Sequence, residues 1–231
     1  MRKNRSNNQK IVKNKKQLQQ EKRNAIKVVE AKTDNHKEYI KSITNNDITI
    51  CIGPAGSGKS YIGAGLFAQY LHSRKYNQII VTRPLVCAGK DIGSLPGEMN
   101  EKIAPYLKPM EENIKSFLGP ANYGFHFNEG RIRYEPLELM RGATFNDSLM
   151  ILDEAQNCTL EQIKMFITRM GNNSKIIING DIKQTDIKNL NGLNVILSKL
   201  SGIDGIGICR LTIDDIQRNG ILGKVLKALE E

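Results

Sequence analysis

The stretch Ile48-Thr49-Ile50-Cys51-Ile52-Gly53-Pro54-Ala55-Gly56-Ser57-Gly58-Lys59-Ser60 decides the fold. A short, mostly apolar run leads into G-x-x-x-x-G-K-[ST], and a helical pattern begins inside the match, at Lys59. Strand, glycine-rich turn and helix in that order build a cradle for a polyphosphate. Gly53, Gly56 and Gly58 let consecutive backbone N–H groups converge on one phosphate with no Cβ in the way, while Pro54, Ala55 and Ser57 complete the loop. The helix that follows adds the positive end of its dipole. Lys59 supplies a point charge between the β- and γ-phosphates, and the Ser60 hydroxyl is a ligand for Mg²⁺.

Outward from this loop, short apolar runs alternate with helical patterns, which predicts parallel strands joined by crossover helices. Strands are expected at 48–52, 78–82, 148–152, 175–179 and 206–211, and helices at 59–71, 160–170, 191–200 and from 214 onward. The expected class is α/β, a three-layer parallel sheet with helices on both faces. Residues 84–147 hold six of the seven prolines and read as an insertion, with a helix near 98–117 and a hairpin around 128–131. Tyr106, Phe117, Tyr123, Phe125 and Phe127 in that insertion read as core residues rather than as a base-stacking platform.

The run Leu149-Met150-Ile151-Leu152 ends in Asp153-Glu154. In open α/β folds such strand ends meet the ligand at the carboxyl edge of the sheet. Asp153 is expected to hold Mg²⁺ together with Ser60, and Glu154 to polarise the attacking water. Ile176-Ile177-Ile178-Asn179-Gly180-Asp181 ends at the same edge, and Gln184 just beyond it can donate to phosphate and accept from water.

The chain has 231 residues, 34 Lys plus Arg and 24 Asp plus Glu, for a net charge of +10. Residues 1–32 hold eleven of the bases and only Glu21 and Glu30 among the acids, a net +9, which leaves residues 33–231 at +1. A nearly neutral globule thus carries a basic arm, and such an arm favours polyphosphate partners by counterion release. The expected division is a flexible or helical arm over 1–33 and one domain over 34–231. With 39% apolar residues the chain can bury a full core. No run approaches 18 apolar residues and the N-terminus is polar, so no membrane span or secretory signal is expected. Cys51, Cys87, Cys158 and Cys209 form no CxxC pair and lie apart from the three histidines, which argues against a structural metal or a disulfide framework.

Assembled, the sequence resembles the PhoH family of ATPases, relatives of the superfamily 1 helicase core, over roughly residues 34–231. The residues that carry the likeness are GPAGSGKS at 53–60, Thr82-Arg83-Pro84, Leu95-Pro96-Gly97-Glu98, Pro105-Tyr106-Leu107-Lys108-Pro109, Met140-Arg141-Gly142, DEAQN at 153–157, Gly180-Asp181 with Gln184, and Asp215 with Arg218. The resemblance implies a P-loop NTPase of RecA or helicase type that hydrolyses ATP with Mg²⁺ in a cytoplasmic setting, the host cytoplasm if a phage encodes it. It also implies an association with RNA or single-stranded DNA. Asn35-His36 stands where the family often has Asn-Gln, a pair resembling the adenine-reading helicase motif, and His36 is assigned to the nucleotide on that basis. Asn179 stands where Thr is usual. No nuclease-like acidic domain precedes the ATPase, so this chain is not expected to cut RNA.

Helicases of this superfamily hydrolyse ATP between two lobes, and 199 residues beyond the arm suffice for one. The resemblance therefore implies a homo-oligomer, with a hexameric ring as the leading arrangement, in which an arginine of one protomer reaches its neighbour's phosphate loop. Arg218 is the first candidate, with Arg169 and Arg141 next. Arg83, at a strand end, is expected to touch nucleic acid or to support the nucleotide site. The competing readings are a nucleotide-switched adaptor on nucleic acid and a small-molecule kinase. The Asp153-Glu154 pair and Gln184 argue against the kinase.

Overall fold

A computed structural model describes residues 25–84, 99–184 and 192–217. Six strands form one parallel sheet: β1 (Ile48–Ile52), β2 (Gln78–Thr82), β3 (Ile132–Tyr134), β4 (Ser148–Leu152), β5 (Lys175–Gly180) and β6 (Ile206–Arg210). Their order is β3-β2-β4-β5-β1-β6, so β5 lies between the strand that leads into the phosphate loop and the strand that ends in the acid pair. The described helices are α1 (Asp34–Asn45), α2 (Lys59–His72), α3 (Met99–Asn128), α4 (Leu160–Ile167) and α5 (Gly192–Leu200).

The central strands are apolar on both faces because both faces are covered. Ile79, Val81, Leu149, Ile151 and Ile177 point into one core with Tyr39 of α1, Phe67 of α2 and Phe117 of α3. Their alternates Ile80, Met150, Leu152, Ile176 and Ile178 point into the other, with Phe166 of α4 and Leu193 of α5. The result is the expected three-layer α/β architecture.

Four local readings change. The hairpin expected at 128–131 is instead a helix end, a turn through Gly130 at φ 67° and an edge strand, β3, that pairs parallel with β2. The glycine there serves a helix-to-strand turn. α3 runs well past residue 117, through a break at Gly119 (φ 74°, ψ 158°), after which Pro120 opens the second segment without giving up a needed N–H. α4 stops at Ile167 rather than at 170, because Met170 leaves the helix to bridge Phe145. Ile213–Asp215 form a 3₁₀ turn where the last helix was expected, and residues 218–231 lie outside the described residues.

α1 has no counterpart among the expected elements. Thr33 caps it by accepting from the N–H of His36 at 3.2 Å, and His36, Tyr39 and Ile43 form its buried stripe. Of the arm, residues 25–33 are described, and they form neither helix nor strand. Lys27 N–H donates to Phe117 O at 2.8 Å, and Ile26 and Val29 pack on the core beside α2 and α3.

Candidate active site

β1 delivers the phosphate loop to the carboxyl edge of the sheet. Gly53 N–H donates to Gly180 O of β5 at 3.2 Å, and a Cβ on Gly53 would fall 2.7 Å from the Leu211 carbonyl, so no larger residue fits. Gly56 and Gly58 take φ of 82° and 98°, the left-handed region that glycine enters freely. Gly58 is the N-cap of α2 and no side chain caps that helix, which leaves its first-turn N–H groups available to an anion. Ser57 Oγ closes the loop on Pro54 O at 2.8 Å. Lys59 Nζ lies against the same loop, donating to Gly53 O at 2.5 Å and Pro54 O at 2.9 Å.

His36 is buried directly beneath the loop. Its Nε2 stands 2.8 Å from Ser57 O, and its Nδ1 accepts from Lys32 N–H at 3.3 Å. These contacts fit a neutral imidazole protonated on Nε2. Nε2 thereby holds the phosphate loop and Nδ1 holds the 25–33 segment, while the ring also borders the cleft.

β4 delivers the acids. Ser60 Oγ donates to Asp153 Oδ1 at 2.7 Å. Asp153 is 5% exposed, and burial, followed by the charge of Glu154, pushes its carboxyl above the ordinary range against the opposing pull of Ser60, Arg83 and Lys59. Glu154 sits in the left-handed region at φ 58°, ψ 41°, which costs a non-glycine residue about 1 kcal/mol or more. Its Oε1 pairs with Arg83 Nη2 at 3.3 Å, and its Oε2 accepts from Gln156 Nε2 at 2.6 Å.

Gln156 is the residue that sequence reasoning missed. Buried beside the acids, it donates to Glu154 with its amide and accepts from Asp181 N–H at 3.0 Å with its oxygen, joining the ends of β4 and β5. It stands inside the DEAQN string, but nothing in spacing alone distinguishes it from a helix-start glutamine. Gln184 lies exposed just past β5, its N–H donating to Asp181 O at 3.3 Å. Asn179 is buried beneath the loop and accepts from Tyr39 OH at 2.8 Å, so its amide ties β5 to α1. Arg169 spends its guanidinium on Met165 O, Ala143 O and Thr168 Oγ1, whereas Arg141 is exposed. Arg218 lies outside the described residues.

The phosphate loop, His36, Arg83, Asp153 and Glu154 border a cleft of about 910 Å³, whereas Gln156, Gln184, Asn179, Arg169 and Arg141 do not line it. Its floor includes Gly180, one wall is Pro109 and Asn113 of α3, and another is the 27–32 segment, where Lys27 Nζ reaches Tyr61 OH at 2.5 Å. The donor set fits a magnesium nucleotide. A hydroxyl and one buried carboxylate, in contact and with the carboxylate's charge disfavoured, suit a hard divalent ion that takes its remaining ligands from phosphate and water. Among the described residues no group of three or more His, Cys, Asp or Glu could hold a metal, which leaves no rival all-protein site there. No described helix is long and apolar enough to cross a membrane.

The PhoH-like protein family matches residues 28–230. The chain belongs to the PhoH family. A PhoH-like protein of Synechocystis sp. is 40% identical over 205 residues, 88% of this chain and 62% of that protein. One of Bacillus subtilis is 40% identical over 207 residues, covering 89% and 65%, and protein PhoH of Escherichia coli is 37% identical over 202, covering 86% and 57%. The chain thus spans less than two thirds of the length of these PhoH relatives. Among solved structures, the large terminase from a thermophilic bacteriophage matches with a TM-score of 0.51 at 11% identity, over 84% of this chain and 49% of that one. That likeness is one of fold. Together with the PhoH match and the loop geometry, it gives the chain the α/β P-loop fold.

Proposed function

We propose that this PhoH-family chain is a Mg²⁺-dependent ATPase whose hydrolysis is coupled to binding or remodelling of RNA or single-stranded DNA. The observation that carries the hydrolytic part is the contact between Ser60 and Asp153 at the mouth of the phosphate loop, with Glu154 next in the chain at the same cleft. When bound, the metal would lie with Ser60 and Asp153 and neutralise charge developing on the phosphates. The loop N–H groups and Lys59 orient the polyphosphate. Glu154 takes the proton of the attacking water, a role worth about 10² to 10⁴ in rate. His36 acts from below by fixing the Ser57 carbonyl, and with it the shape of the loop.

Nucleic acid as partner is supported by the +9 charge of residues 1–32. Residues 34–231 act as one lobe with 1–33 as its arm. The lobe works as a homo-oligomer in which Arg218 of one protomer completes the next protomer's site. Phosphate release from ATP, with and without poly-RNA and single-stranded DNA, tests the reading. Lys59→Ala is expected to abolish nucleotide binding. Glu154→Gln is expected to bind nucleotide and lose turnover by at least about 100-fold. Undiminished turnover in Glu154→Gln would favour the nucleotide-switched adaptor. A monomer by light scattering both with and without an ATP analogue would refute the oligomer.

A further inference from the structure

Arg83 follows β2 at the point where three parts of the cleft meet. Its Nη2 pairs with Oε1 of Glu154 at 3.3 Å, while its Nη1 donates to the main-chain carbonyl of Tyr106 in α3 at 3.2 Å. The second carboxylate oxygen of Glu154 accepts from Gln156. Each oxygen of Glu154 therefore has one partner on the protein, and the two partners together fix where the carboxylate points and how its remaining lone pairs meet a water.

The two partners differ in how firmly they hold. Gln156 is 2% exposed, its bond is 2.6 Å, and its other end is fixed by Asp181 N–H. The Arg83 pair is longer and open to solvent, with side-chain exposures of 27% and 36%, and pairs of that kind are weak. Arg83 is the partner that yields. Its planar fork also serves two acceptors in different directions at once, which a lysine ammonium does not reproduce in the same geometry.

α3 makes the release communicable. Pro109 and Asn113 border the nucleotide cleft, and Leu107, Met110, Ile114 and Phe117 are seated in the core. A displacement at Tyr106 is therefore carried by a packed helix rather than absorbed by a loose loop.

We propose that Arg83 is a latch: a positioning residue that restrains the orientation of the Glu154 carboxylate and ties that restraint to α3, so that a single-stranded nucleic acid drawing α3 aside frees the carboxylate. The latch rests on the hydrolytic reading given above.

The test compares wild type, Arg83→Ala and Arg83→Lys by phosphate release over a range of ATP concentrations, with and without poly-RNA and single-stranded DNA. Arg83→Ala is expected to raise turnover without polymer about fivefold. It is expected to lower the polymer-stimulated ratio by the same factor and leave KM for ATP unchanged, with Arg83→Lys intermediate. A purely structural role would lower turnover in both conditions and keep the ratio. Basal turnover at or below wild type in Arg83→Ala, or an undiminished ratio, overturns the latch. Amide hydrogen exchange over residues 104–118, with and without a non-hydrolysable ATP analogue and Mg²⁺, reads the tie without turnover. A nucleotide-dependent change in wild type that is lost in Arg83→Ala supports it, and no change in wild type or the same change in both overturns it. Wild type that releases no phosphate under any condition refutes the hydrolytic reading instead, and the exchange result then decides the tie alone.

Discussion

Asp215 closes the 3₁₀ turn after β6, and replacing it with Asn should unfasten α1 from the far edge of the sheet. The carboxylate is 1% exposed and receives four donors: Thr33 Oγ1 at 2.5 Å and Asn35 Nδ2 at 2.9 Å from the start of α1, and Thr212 N–H at 2.6 Å and Thr212 Oγ1 at 3.2 Å from its own turn. A carboxylate only accepts, so it suits a ring of donors, whereas an asparagine must turn its NH₂ toward at least one of them. Hydrogen bonds to a charged group are worth about 1.5–3 kcal/mol each, and with two of the four lost or reversed and partly regained by solvent, the expected cost is about 3 kcal/mol. At about 2–4 °C per kcal/mol for a chain of this size, the thermal midpoint of Asp215→Asn should fall by about 6–12 °C. Burial pushes the Asp215 carboxyl up, but the bonds from Thr33, the Thr212 backbone, Asn35 and the Thr212 hydroxyl outweigh it and hold the group below its ordinary value. A depressed folded-state pKa contributes stability that is full above the unfolded value of about 3.9 and is lost as pH falls through the folded value. The gap in midpoint between wild type and Asp215→Asn should therefore be constant above about pH 5 and shrink below about pH 4. Melting curves followed by circular dichroism from pH 3 to 7 measure both quantities. A fall under 2 °C at neutral pH, or a gap that persists in acid, would refute the reasoning.

Two further substitutions probe the cleft. In Gly58→Ala the new Cβ is forced into φ 98° and meets His36 Nε2 at 3.3 Å, so affinity for a fluorescent ATP analogue should drop by about tenfold or more, with melting little changed. Phe117→Ala empties a site that is 1% exposed and carries the carbonyl that receives Lys27 N–H; it should cost about 3–5 kcal/mol in urea unfolding and hasten tryptic cleavage at Lys27 and Lys32.

The parts of the fold legible in the sequence were those whose cause is local. β1, β2 and β4 occupy the expected residues, and β5 and β6 differ by one at an end, because strands buried on both faces read as apolar runs. The phosphate loop is equally local, a matter of glycine spacing and of the helix that must follow. What escaped depends on neighbours distant in the chain. α1 buries a histidine and a tyrosine under the loop, so its stripe lacks the aliphatic signal of a core helix. β3 has only three residues and becomes a strand by pairing with β2. Phe117 and Tyr123 are buried as the pattern suggested, but Phe125 and Phe127 are about half exposed, because the helical turn beyond Gly119 carries them to the outer face. In the site, Lys59, Ser60, Asp153 and Glu154 converge as their motifs imply. The roles of Gln156 and Arg83 exist only as contacts to Glu154, Asp181 and Tyr106.

The position of β5 makes the spacing of this site a property of the sheet. The strands that bear the loop and the acids stand two strand widths apart, about 9.6 Å, and Ser60 spans that gap to reach Asp153. β5 therefore acts as a gauge block, and its end must stay low for the cleft to exist above it. A methyl group added at Gly180 would meet Leu193 Cδ2 at 2.5 Å and the backbone nitrogen of Gln156 at 3.3 Å, pressing at once on α5 and on the turn that steadies Glu154. In a saturation library scored for turnover, one of the least tolerant positions should be this glycine, where the native residue contributes no side chain at all.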